Sequence, residues 1–254
     1  MSGLLVGALD PLTTGLLVVV ALLAATVDAI GGGGGLITLP ALTLAGLPLD
    51  VALATNKGQS VWGSGAATIA FWRAGRVDTK QARFTFPLAL VGAAVGATAL
   101  MSVPKDALRP IVMVLLVAAA GLLLVKKPSR GADGPGKPAI AAALALVIGA
   151  YDGFFGPGTG TFLIVGFVTL CGRSLVSATA DAKVVNFASN LASLVAFARA
   201  GNVVWAIALP MAIGQLAGGV IGTRLALKGG ARFVRIAVIT ITGALVVKLA
   251  SQIW

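Results

Sequence analysis

Polar side chains that could do chemistry are few in this chain, and they come in pairs. Lys57 and Lys183 sit in apolar surroundings, and Asp28 and Asp152 each precede a glycine-rich stretch. An ionisable group inside a membrane costs about 2.5–3.5 kcal/mol on insertion scales, so each such residue marks a functional site by default. Lys183, Asn186 and Asn190 stand at i, i+3 and i+7, one face of a helix. Lys57, Ser60 and Ser64 form the corresponding face of an earlier segment. One cation and two short hydrogen-bonding side chains from each of two helices suit an anion with several acceptor oxygens, and Asn56 adds an amide to orient it. The competing readings are structural. Ser and Asn also bond helix to helix, and Asp181, two residues before Lys183, is the candidate structural partner of that lysine.

The glycines offer a second kind of donor. Gly31, Gly32, Gly33, Gly34 and Gly35 are consecutive, and Gly156, Gly158, Thr159 and Gly160 belong to a matching "GPGTG". A helix broken there leaves backbone N–H groups unpaired at the start of the next piece, where the helix dipole is positive. Such a terminus favours anions, and glycine lets a ligand approach the backbone closely. Close helix packing explains spaced glycines such as Gly218 and Gly222 but explains five in a row poorly. Leu36 and Ile37 follow the run in place of Lys-Ser/Thr, which excludes a nucleotide phosphate loop. No nucleophile, acid and base cluster together, so neither an enzyme nor a cofactor is expected. Histidine is absent, and the single cysteine, Cys171, excludes an intrachain disulfide and a cysteine-based metal cluster. No metal site is expected. All eight acids are Asp; Asp28, Asp152 and Asp181 are the candidates for proton coupling.

The elements that must hold these residues are membrane helices. The chain has 254 residues, of which 58% are hydrophobic and 11% charged, against roughly 25% charged in a soluble domain. Its mean hydropathy is +1.01. Apolar runs recur from end to end, so the expected fold is an all-α polytopic membrane protein without a separate soluble domain. The first apolar run has no basic residue before it, which argues against a cleaved signal peptide. The net charge of +11 lies between apolar runs, as in loops held at a membrane face, so no nucleic acid partner is expected. The expected partners are the lipid bilayer and a small anionic substrate, and a homo-oligomer is compatible with the sequence.

Three matches recur in order at an offset of 125 or 126 residues. "GGGGG" at Gly31 pairs with "GPGTG" at Gly156, "ATNK" ending at Lys57 with "ATADAK" ending at Lys183, and "AFWRAGRV" at Ala70 with "AFARAGNV" at Ala196. Two repeats follow, residues 1–127 and 138–254, joined by a polar linker at 128–137. Each reads as five segments: Leu12–Ile30, Leu36–Leu47, Val51–Trp72, Phe84–Val103 and Leu108–Val125, then Pro138–Phe155, Gly160–Cys171, Leu175–Ala198, Val203–Thr223 and Phe233–Ile253. That makes about 8–10 transmembrane helices. The second segment of each half is too short to span, since twelve residues rise about 18 Å against a core of about 30 Å. Short, glycine-interrupted segments at matching places in two repeats point to a transporter binding site. Five crossings per half make the repeats inverted and place 13 basic loop residues on one side and 3 on the other. Re-entrant second segments would make them parallel and split the same residues 9 to 7. The preference for basic residues on the cytoplasmic side selects the inverted arrangement.

These motifs resemble the sulfite exporter TauE/SafE family, also called TSUP, over nearly the whole chain. The carriers are Gly31-Gly-Gly-Gly-Gly-Leu-Ile-Thr-Leu-Pro40, Ala54-Thr-Asn-Lys57, Phe71-Trp-Arg-Ala-Gly75-Arg-Val-Asp78, Gly156–Gly160 and Ala-Asp-Ala-Lys183-Val-Val-Asn186. The resemblance implies transport of sulfite or organosulfonates such as sulfoacetate across the bacterial plasma membrane. The expected function is therefore a secondary transporter of small sulfur-containing oxyanions, read as an exporter. A passive anion channel and a structural membrane protein without transport activity are the alternatives.

Overall fold

A computed structural model describes residues 10–104, 107, 111 and 137–253, with side chains as far as Gly229. The described residues form eight helices and no strand: α1 (Pro11–Gly31), α2 (Gly35–Leu44), α3 (Leu49–Arg73), α4 (Thr79–Ser102), α5 (Pro138–Phe154), α6 (Thr159–Thr169), α7 (Leu175–Arg199) and α8 (Trp205–Ile253). The segment expected at Leu108–Val125 and most of the linker lie outside the described residues.

Local chemistry sets the boundaries. Asp10 caps α1 by accepting from the Thr13 N–H at 2.9 Å, and Pro11 occupies the first turn, where a missing N–H costs nothing. Asp78 accepts from the N–H groups of Lys80 and Gln81, which starts α4 five residues before the expected Phe84. The α3 and α7 termini are copies of one motif. Gly75 and Gly201 both adopt a left-handed φ, 66° and 73°. The Arg76 and Asn202 N–H groups bond back to the carbonyls of Phe71 and Phe197. This is a glycine-terminated helix end of the Schellman type, made twice.

One expected break is not made. The loop drawn between Val203–Thr223 and Phe233–Ile253 is helical, and α8 runs through it. Gly229 and Gly230 weaken a helix by about 1 kcal/mol each, but Ala-Arg-Phe follows them with no proline or capping side chain to stop or restart it.

The contacts give the helix directions. A Cβ on Gly214, Gly218 or Gly222 of α8 would strike the carbonyls of Val18, Leu22 and Thr26 in turn, so α1 and α8 run parallel with their backbones touching. Gly92 and Gly96 of α4 meet the carbonyls of Leu146 and Ala150 of α5 in the same sense. The close packing expected of Gly218 and Gly222 is therefore present, and it occurs twice. The Val204 N–H donates to Thr55 Oγ1, Gly58 faces Ala208, and Gly63 faces Gly219, so α3 also runs parallel to α8. Since α1 and α3 share a direction, α2 must return between them: α1 and α2 form a hairpin with the glycine run at its tip. By the matching contacts, Asp78 to Asp181 and Phe86 to Phe187, α5 and α6 form the second hairpin.

The central helices α3 and α7 are antiparallel. Lys57 meets Asn190, Asn190 meets Ser64, and Thr68 meets the Lys183 carbonyl, advancing along one helix while retreating along the other. Corresponding helices of two repeats running oppositely make the repeats inverted. The second segments do fold back, yet parallel repeats do not follow, because each hairpin returns the chain to its starting side. Arg173 beside Asp78, at 3.5 Å, places the α6–α7 turn at the same end as the α3–α4 turn. Arg73 and Arg224 share the rim of a groove of about 800 Å³ whose walls are otherwise mostly apolar. Arg73, Arg173 and Arg224 thus gather at one end, as the inverted arrangement requires.

Three described helices, Pro11–Gly31, Thr79–Ser102 and Trp205–Gly229, are long and apolar enough to cross a membrane. Helices α3 and α7 have the length, 25 residues each, but carry the polar side chains. Each hairpin has its own apolar cluster: Leu39 and Leu42 of α2 pack with Leu53, Phe197 and Met211, and Leu163 and Phe167 of α6 with Phe71, Ala178 and Val185. The α3 end is buried in the second half's cluster and the α7 end in the first's, which ties the repeats together.

Candidate functional site

The two hairpin tips meet between α3 and α7. Gly32 adopts φ 80°, and any Cβ there would overlap the Gly160–Thr161 backbone. Thr161 Oγ1 donates to the Gly31 carbonyl at 2.9 Å. Gly31 and Gly32 are therefore the joint between tips. Gly33, Gly34 and Gly35 line a cavity on one side of this joint, and Gly156, Gly158, Thr159 and Gly160 line it on the other. Helices α2 and α6 both begin at its wall, and their first N–H groups have no acceptor within the helix.

Each lysine is neutralised by an acid from the opposite repeat. Lys57 Nζ donates to Asp152 Oδ1 at 2.7 Å and to Asn190 Oδ1 at 3.0 Å. Lys183 Nζ donates to Asp28 Oδ2 at 2.6 Å. The competing structural pairing of Asp181 with Lys183 is not made. Residues two apart on a helix point to different sides, and Asp181 instead accepts from Arg173 Nε at 3.0 Å and from the Asp78 N–H at 2.9 Å. It lies at the basic end, away from the centre. Asp28 and Asp152 are the acids at the centre.

The two pairs differ in their surroundings. Asp152 is buried and also accepts from Thr159 Oγ1 at 3.0 Å, Asn186 Nδ2 at 3.3 Å and Ser189 Oγ. Among the described residues Asp28 accepts only one further bond, from the Gly34 N–H at 3.2 Å, and its side chain is 21% exposed. Replacing a buried pair's partner strands a charge, at a cost of about 3–5 kcal/mol, so these contacts hold the repeats in register.

Of the residues singled out by sequence, Asn56, Lys57, Ser60, Asn186 and Asn190 line the cavity together with the two acids. Lys183 does not line it; it is fully buried behind Asp28. Ser64 lies one turn further on and accepts from Asn190 Nδ2 at 3.3 Å. Asn56 Oδ1 accepts from Thr38 Oγ1 and Gln59 Nε2, at 2.6 and 2.7 Å, while its own NH₂ has no acceptor among the described residues. Gln215 of α8 was not foreseen. It is 5% exposed, lines the cavity and makes no hydrogen bond among the described residues. Its signal is a lone Gln in an apolar segment, and the equivalent position in the first repeat is Ala89, so comparing repeats hides it.

The cavity measures about 30 Å³, against the roughly 10–15 Å³ that one water requires on this measure. It is small, polar, rich in donors and flanked by two helix starts. A central site at the meeting of two inverted, glycine-broken hairpins defines a class, the polytopic membrane transporter built from inverted repeats.

The chain belongs to the sulfite exporter TauE/SafE family, whose model matches residues 17–249. It is similar to the probable membrane transporter protein YfcA of Escherichia coli K12, 39% identical over 94% of this chain and 90% of that protein. It is likewise similar to the probable membrane transporter protein ORF9 of a Sinorhizobium species, 40% identical over 93% and 92%. A probable membrane transporter protein of Haemophilus influenzae is 34% identical over 91% of both chains. No solved structure matches significantly.

Proposed function

We propose that this transporter carries small sulfur-containing oxyanions, sulfite foremost, across the bacterial plasma membrane, and that it works as an exporter. The observation that carries this reading is the pair of buried amides, Asn56 and Gln215, that face the cavity without acceptors among the described residues. Both amides open onto the cavity, and an oxyanion seated there would accept from both. The N–H groups of Gly33, Gly35, Gly158 and Gly160, at the cavity wall, would donate to its remaining oxygens, and Lys57 would supply charge. The small cavity suits sulfite better than sulfoacetate, whose carbon and carboxylate need more room. Rocking of the two hairpins against α3 and α7 would open the cavity to either side in turn, with the basic end facing the cytoplasm.

Purified protein melted with sulfite, sulfate, thiosulfate, sulfoacetate or carboxylates tests the reading. Sulfite is expected to raise the melting temperature, and Gln215→Leu to reduce the rise. A response to carboxylates or cations alone would sink it.

A further inference from the structure

We infer that Asp28 is the proton-exchanging group of this transporter: its carboxylate occupies donors meant for the oxyanion, and one proton must bind there for each anion that does. The inference rests on the anion-transport reading above and adds the coupling ion to it.

Three observations lead to it. The first is position. Lys183 is fully buried and the cavity does not reach it, whereas Asp28 lines the cavity directly in front. Asp28 Oδ2 holds Lys183 Nζ at 2.6 Å while Oδ1 takes the Gly34 N–H at 3.2 Å. A lysine and a glycine N–H beside a helix start are the donors an oxyanion would use. The resident carboxylate is already seated there.

The second is the inequality of the two acids. Asp152 is anchored by Lys57, Thr159, Asn186 and Ser189. Asp28 has two partners and partial exposure. Lys57 keeps Asn190 as a second acceptor, but Lys183 Nζ has Asp28 alone among the described residues. Neutralising Asp28 therefore leaves a buried cation that needs a new anion.

The third is charge. Asp28, Lys183, Lys57 and Asp152 sum to zero. Among the described residues, the ionisable groups facing Asp28 are Lys183 from α7, Lys57 from α3 and Asp152 from α5. The described parts of α2, α6 and α8 at the cavity present Gly34, Gly35, Thr159, Gly160 and Gln215, none of them ionisable near neutral pH. An anion entering alone leaves the centre negative in a low dielectric, whereas an anion with a proton leaves it neutral.

The step makes and breaks no covalent bond except to the proton. A proton from bulk solvent, relayed by water, binds Asp28 Oδ2, the Asp28–Lys183 ion pair separates, and an oxygen of the anion replaces it at Lys183 Nζ. Release reverses the order. A monovalent anion then crosses with its proton and moves no net charge. Direction follows the two concentration gradients, export included when the anion is in excess inside.

Sulfite binding to the purified full chain tests this when its affinity is compared between wild type and Asp28→Asn across a range of pH. Sulfite's own ionisation is common to both proteins and cancels in the ratio. The asparagine is permanently neutral, so the ratio should favour the variant increasingly as pH rises, by about tenfold per pH unit, and vanish in acid. Asp28→Ala, which also removes the carboxylate, should behave likewise and covers the case in which the asparagine variant does not fold. A ratio that stays flat with pH overturns the assignment to Asp28 while leaving the anion site standing, as does the same pH-dependent gain in Asp152→Asn. Sulfite binding to none of the proteins overturns the anion site itself, and the coupling with it.

Discussion

Gln215 carries the most direct prediction at the scale of single residues. Its amide stabilises nothing in the described fold, so Gln215→Leu should leave the melting temperature unchanged or raise it. Sulfite affinity should fall about ten- to a hundredfold, since a hydrogen bond to a charged group is worth about 1.5–3 kcal/mol. Equal loss of stability and affinity would make Gln215 structural. Asp152→Ala should do the opposite, stranding Lys57 and destabilising the protein by about 3–5 kcal/mol in a denaturant titration. Composition alone made the charged members of the centre legible, because Lys57, Lys183, Asp28 and Asp152 are rare charges in apolar surroundings. Their pairing was not legible. Proximity in sequence suggested Asp181 for Lys183, and only the crossing of two hairpins brings Asp28 across 155 positions. Gln215 went unseen because it has no counterpart in the other repeat.

The elements were read more completely than the contacts between them. Glycine breaks, the short helices α2 and α6, and the ends of α3 and α7 all follow from local chemistry that the duplication repeats. The direction of α2 does not, because a short helix after a glycine run either continues or turns back, and tertiary contacts decide. The continuity of α8 was missed for a related reason: paired glycines resemble a break but lack a cap. Helix pairing yields a contrast that a melting experiment can read. Gly218→Leu and Gly96→Val should both unfold or strongly destabilise the protein, because even a Cβ there meets the carbonyl of Leu22 or Ala150. Gly15→Ala should be neutral or stabilising by up to about 1 kcal/mol, as nothing lies within 4 Å of its Cβ position. A loss in Gly15→Ala as large as in Gly218→Leu would mean that backbone contact between α1 and α8 is not what the glycines provide.

At the scale of the whole molecule, the two ends share a backbone contact and differ in charge. The Asp78 N–H bonds Asp181 at one end, and the Val204 N–H bonds Thr55 at the other, at corresponding positions. Only the first end adds Arg173, 2.9 Å from Asp181. The basic end is thus latched by ions and the opposite end by a neutral hydrogen bond. With Cys171→Ser as background, single cysteines at Arg83 and Lys228 should react with a membrane-impermeant thiol reagent from the cytoplasm. One at Arg199 should react from outside. Arg83 and Arg199 labelling from the same side would refute the inverted arrangement.

The crossed ion pairs also say something about ancestry and assembly. Neither half holds both members of a pair: the first owns Asp28 and Lys57, the second Asp152 and Lys183. A lone half, duplicated and inserted upside down against itself, would complete both pairs without further change. Two polypeptides severed between the halves and made in the same cell should therefore co-purify, since each is the other's counter-ion.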